Sequence, residues 1–199
     1  MVSLSKGQKV SLTKESSASG VALAKVVVGL GWDAAPQKKK GLFGSKVTNI
    51  DCDASAILLS SGKLKDSEDV VYFGNLEHES GTVEHLGDNL TGDGEGDDEQ
   101  IVVNLASVPA KYDRIVFAVN IYDAESRKQN FGMIQNAFVR VVNEANNQEL
   151  CRFNLSDNYS AYNAVIFGEM VRQDGEWTFN AIGEGTTDRN IRSLSERYR

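Results

Sequence analysis

Proline is scarce, with two residues in 199, and so is cysteine, again with two, Cys52 and Cys151. A disulfide framework and a cysteine-based zinc site are both excluded by that count, and each thiol is expected to be a small buried hydrophobe. No apolar run approaches the roughly 20 residues needed to cross a bilayer. The first ten residues alternate polar and apolar, without the continuous apolar stretch of a signal peptide. These absences point to a cytoplasmic protein, with attachment to the inner face of the membrane as the alternative. Positive charge is missing from a long interval: residues 66–110 contain no lysine or arginine but twelve aspartates and glutamates. With a net charge of -7, the chain lacks the basic field that nucleic-acid binding requires, so cations are the expected partners.

What is present reads as β structure. Short segments rich in Val, Ile, Phe and Tyr, punctuated by Gly, Asn and Asp, predict strands at 8–12, 21–29, 49–59, 69–73, 82–85, 100–105, 114–122, 137–143, 149–154, 164–172 and 176–181. So many short strands in one chain predict an all-β, two-sheet sandwich. A short helix or wide turn is expected over 129–136. Residues 1–186 form the predicted domain and 187–199 a basic C-terminal tail. There Ile191, Leu194 and Tyr198 have amphipathic helical spacing, although a frayed end fits the same residues. The one basic cluster, residues 38–46, carries Lys38, Lys39, Lys40 and Lys46 around a Leu42-Phe43 tip. It reads first as a solvated insertion, with contact to an anionic membrane or partner as the second reading.

The loop 87–99 is the segment with chemistry. Six carboxylates, Asn89 and Thr91 are gathered around four glycines. Calcium takes six to eight oxygens, and glycine lets a backbone turn several of them inward. A hydrated loop that never closes is the alternative, because runs of like charge repel. The spacing is not that of an EF-hand: counted from Asp93, the sixth position is Asp98 and the twelfth Asn104, where Gly and Glu are required. Alternation along a strand puts Asp51 and Asp53 on one face and Cys52 and Ala54 on the other. Asp33, after Gly29-Leu30-Gly31-Trp32, either caps a turn or completes a site. His78 and His85 read as strand or surface histidines rather than zinc ligands.

The opening residues 3–12, the Gly29-Leu30-Gly31-Trp32-Asp33 and Asp51-Cys52-Asp53-Ala54-Ser55 elements, the acidic loop, Phe167-Gly168-Glu169 and Gly175-Glu176-Trp177 occur in one order. In that order they resemble the TerD family of tellurite-resistance and stress-response proteins, over roughly residues 1–185. The resemblance implies a calcium-binding β-sandwich without established catalysis, holding two Ca2+ ions. By position it implies the ligands Asp88, Asn89, Asp97, Asp98 and Glu99, followed by Asp93, Glu95, Asp33, Asp51 and Asp53. The insertion at 38–46 is similar to that of the TerZ branch.

Three functional classes follow. No nucleophile elbow, zincin pair or phosphate loop is present, so an enzyme is not expected. A tellurite-handling site would need an accessible thiolate pair, and an acidic protein repels an oxyanion. A calcium-dependent interaction module fits best, with a calcium-stabilised scaffold subunit as the alternative. Its partners are expected to be other tellurite-resistance proteins or a membrane-associated complex.

Overall fold

The computed structural model describes residues 1–18, 20–34, 50–87, 96–155 and 157–199. The proposed ligands Asp88, Asn89, Asp93 and Glu95 and the basic cluster 38–46 lie outside them. Twelve strands are found among the described residues. They are β1 (Val2–Leu4), β2 (Lys9–Ser11), β3 (Val26–Ala34), β4 (Cys52–Leu59), β5 (Val70–Val71), β6 (Val83–His85), β7 (Glu99–Val103), β8 (Arg114–Ile121), β9 (Ile134–Asn143), β10 (Gln148–Asn154), β11 (Ala164–Gln173) and β12 (Glu176–Thr186). Three short helices accompany them: α1 (Leu12–Ala18), α2 (Ala124–Arg127) and α3 (Ile191–Ser195).

The strands form two six-stranded sheets, ordered β1-β10-β9-β3-β7-β6 and β2-β12-β11-β8-β4-β5. Among the described residues only β1 and β10 pair in parallel. The all-β sandwich expected from the strand pattern is therefore present. Its inner faces meet in one core, to which β4 gives Cys52, Ala54, Ala56 and Leu58 and β8 gives Ile115, Phe117, Val119 and Ile121.

Every residue of β4 is buried, which a single core face does not explain. The opposite face, with Ile57, Leu59, Val116 and Ala118, joins Ala164 and Ile166 in a second apolar cluster that Ile191 and Leu194 of α3 cover. The residues assigned to a basic tail thus form a helix laid on the outer face of the second sheet. Its start is fixed by a capping box between Asn190 and Ser193. The amphipathic spacing of Ile191 and Leu194 supplied the apolar face, and a two-sided sheet supplied the partner. One short element differs from expectation: the segment 12–18 is helical, although its first residue was expected to end a strand. The short helix or wide turn expected over 129–136 is present as a 3-10 turn at Phe131–Met133 that leads directly into β9.

Candidate functional site

At one end of the sandwich the C-terminal part of β3, the entrance to β7, the entrance to β4 and the exit of β8 come together. Two glycines prepare the ground. On β3, a Cβ at Gly29 would fall 2.1 Å from Asp97 Oδ2, and one at Gly31 would fall 2.4 Å from the Phe138 ring and 2.7 Å from the Gly96 carbonyl oxygen. The outer face of β3 is therefore a trough, and residues 96–98 fold down into it. The Asp98 amide donates to the Leu30 carbonyl at 2.8 Å, and the Trp32 amide donates to Asp98 Oδ2 at 2.7 Å.

The carboxylates that enter this region divide by partner. Asp97 is held by Arg140 in a fork, Nε to Oδ1 at 2.6 Å and Nη2 to Oδ2 at 3.0 Å, and Gln100 Nε2 donates to Oδ2 at 2.9 Å. Its side chain is 1% exposed. A two-point guanidinium fork is a strong form of carboxylate binding, and with Gln100 it occupies three of the roughly four lone-pair positions of Asp97. Asp33, expected beside the ions, is exposed and accepts from Asn136 Nδ2 at 2.7 Å.

Glu99 is buried and crosses from the first sheet to the second. Its Oε2 accepts from the Ala54 amide at 2.6 Å. That amide lies beyond β5, which pairs only with Ala56 and Ile57, so Glu99 completes the ladder where the edge strand has ended. The same oxygen receives His85 Nε2 at 3.2 Å. Because the Gly87 amide donates to His85 Nδ1 at 3.1 Å, that nitrogen carries the lone pair and Nε2 carries the proton.

Asp51 and Asp53 share one face of the β4 entrance, as the alternation required, while Cys52 and Ala54 point into the core. Asn120 Nδ2 donates to Asp53 Oδ2 at 3.2 Å, and Arg127 Nη1 lies 3.3 Å from Asp51 Oδ2. The entrance to β4, with Asp51 and Asp53, is tied to the entrance of β7, with Asp98 and Glu99, by the Ala54–Glu99 hydrogen bond. Cys52 lies between Asp51 and Asp53 in sequence. Burial pushes this thiol well up, and the charges of Asp53, Glu99, Asp51 and Asp98 push it further. Among the described residues no three of His, Cys, Asp or Glu form a complete metal cage. The four carboxylates are hard oxygen donors of the kind calcium takes.

Of the strand and surface positions expected for the histidines, His85 takes a strand position, in β6, and both are buried, 1% and 2% exposed. His78 repeats the design of His85: Ser80 donates its amide to Nδ1 at 3.1 Å, and Nε2 faces Asp69 Oδ1 at 3.3 Å, which also accepts from Tyr112 Oη. No sequence signal separated them from surface histidines, because their carboxylate partners lie 9 and 14 residues away on other segments.

Both cysteines are buried and free, as their number suggested. Burial pushes the Cys151 thiol up to about 12. Thiolate is the reactive form, so neither thiol should react with Ellman's reagent in the native protein, whereas two thiols per chain should react at once in denaturant. Rapid native labelling of Cys52 would show that this end of the sandwich opens.

The comparisons with known proteins fit this architecture. The TerD domain family model matches residues 1–198. The stress response protein SCP2 of Bacillus subtilis (strain 168) is 50% identical over 202 residues, covering 99% of this chain and 98% of its own length. The tellurium resistance protein TerD of Serratia marcescens is 44% identical, covering 92% of this chain and 90% of its own length. In structure, a Streptomyces coelicolor A3(2) homologue of the telluride resistance protein aligns with a TM-score of 0.67 over 89% of this chain and 99% of its own, at 21% identity, a likeness of fold.

Proposed function

The chain belongs to the TerD domain family, and from that premise we propose that it is a cytoplasmic, calcium-binding stress-response protein that acts as a calcium-dependent interaction module. The observation that supports this reading is the Ala54–Glu99 hydrogen bond at 2.6 Å, which brings the Asp51–Asp53 entrance of β4 to the Asp98–Glu99 entrance of β7 where the two sheets meet. In this reading Asp98 and Glu99 join Asp88 and Asn89 as principal ligands of a two-ion site. Asp93, Glu95, Asp51 and Asp53 supply further oxygens. Asp97 has a different task, to hold the 96–98 segment against β3 through Arg140.

Like charges about 4 Å apart repel by on the order of 1 kcal/mol even in bulk water and more strongly near protein. A divalent ion turns that repulsion into attraction and reduces the negative charge presented to a partner. No catalytic step belongs to this reading. The alternative, a calcium-stabilised scaffold subunit, uses the same ligands and differs in affinity.

Calorimetric titration of the chelator-stripped protein with calcium, with magnesium as competitor, tests both. Saturable calcium binding is expected, with a rise in melting temperature. At a calcium concentration 100 times Kd, binding adds about 2.7 kcal/mol to stability. Affinity in the range of cytosolic calcium signals marks a switch, and much tighter binding marks a staple. Equal, millimolar binding of both cations would defeat the proposal. Asp98→Asn is expected to weaken calcium at least tenfold without unfolding the chain.

A further inference from the structure

Large exposed apolar side chains are few, and their placement is uneven. Among the described residues they are Met1, Phe73, Leu76, Leu86 and Tyr122. Setting aside the terminal methionine, three lie on the short ribbon of residues 72–86, and the fourth, Tyr122, packs edge-to-face on Phe73 with ring centroids 6.2 Å apart. Leu76 is 46% and Leu86 53% exposed.

The ribbon is the outermost edge of the first sheet. Residues 76–78 run antiparallel to β6, with the His78 amide donating to the Val83 carbonyl at 2.9 Å and the His85 amide to the Leu76 carbonyl at 2.7 Å. Glu77 and Glu84 therefore oppose each other in a non-hydrogen-bonded pair, the position where cross-strand side chains come closest. The backbone N–H and C=O of Glu77 consequently point away from β6, toward an edge that no other strand covers among the described residues. Both glutamates are exposed. Like charges directly opposite destabilise a sheet, and no lysine or arginine occurs between residues 66 and 110 to relieve them. The fold thus presents apolar side chains, an open strand edge and two juxtaposed negative charges on one ribbon. Its complement is a segment with apolar residues set among lysines.

This chain contains one such segment, Lys38-Lys39-Lys40-Gly41-Leu42-Phe43-Gly44-Ser45-Lys46. We propose that the 72–86 ribbon docks residues 38–46 of a second copy of this chain, with lysines against Glu77 and Glu84 and the Leu42-Phe43 tip against Leu76 and Leu86. The ribbon and the basic segment are different surfaces, so the contact is heterologous. A bound pair leaves one ribbon and one segment unused, and association proceeds head to tail rather than stopping at a closed dimer. The contact is small and charge-assisted, which places it among weak interfaces that salt loosens.

The test is sedimentation equilibrium of the full chain with calcium in excess throughout, together with two variants. One has the ribbon altered by Glu84→Lys and Leu86→Ser, and the other has the segment altered by Lys39→Glu and Phe43→Ser. The wild-type weight-average mass should rise with concentration, doubling at on the order of 100 µM. Each variant alone should stay monomeric with an unchanged circular dichroism spectrum. Mixed in equal amounts, they should form a one-to-one heterodimer and nothing larger, because one supplies the intact segment and the other the intact ribbon. A synthetic peptide of residues 36–47 should dissociate the wild-type assembly. A wild-type chain that remains monomeric throughout, or a mixture of variants that remains monomeric while the wild type associates, would overturn the proposal.

Discussion

Replacing Asp97 by alanine is expected to lower the free energy of unfolding by about 3 kcal/mol, because the change removes the buried carboxylate that forks with Arg140 and leaves the guanidinium only its longer contact with Glu149 at 3.4 Å. Arg140 is 30% exposed, so part of its charge recovers water, which keeps the expected cost at the lower end of the range for broken buried pairs. Gln100 also loses its acceptor, and the 96–98 segment loses its anchor over Gly29. Urea denaturation of the chelator-stripped protein measures this directly. Calcium affinity should change much less than stability once the folded fraction is taken into account. A variant of wild-type stability that no longer binds calcium would place Asp97 among the ligands instead.

Glu99 is expected to behave in the opposite sense, because its single carboxylate serves both stability and charge. Glu99→Ala removes the acceptor from the Ala54 amide and from His85 Nε2, both buried, and should cost about 3 to 4 kcal/mol when two donors at about 1 to 3 kcal/mol each lose their partners. Glu99→Gln retains a carbonyl oxygen able to accept both, so stability should fall by only about 1 kcal/mol. Its calcium affinity should nevertheless fall at least tenfold, since the amide brings no charge to the ion. Denaturation and calcium titration of the two variants separate these roles. If Glu99→Gln binds calcium as the wild type does, Glu99 is purely a bridge between the sheets.

The division between Asp97 and Asp98 shows where reading the chain stops. Adjacent in sequence and identical in type, they entered the ligand set together. Strand geometry separates them: one lies over Gly29, within the fork of an arginine 43 residues away, and the other accepts from the Trp32 amide. No local pattern encodes Arg140 as a partner, because its position depends on the β3–β9 register that pairs Gly29 with Arg140. Asp51 and Asp53 were legible for the converse reason. Their arrangement on one face follows from the period of a strand, which is a local property.

The same contrast holds for the fold. Runs of β-branched and aromatic residues between turn formers determined the strands and the sandwich, since period and propensity act within a few residues. The count of cysteines determined that both would be free, and the glycine-rich run of carboxylates marked the end of the molecule where cations are to be sought. Tertiary structure alone decided which carboxylate is tied to an arginine, which one bridges the sheets, that both histidines are buried on acidic partners, and that the basic end packs as a helix on a second apolar face. Those outcomes depend on contacts between residues distant in sequence, and such contacts acquire their distances and their dielectric surroundings only when the sheets have closed on each other.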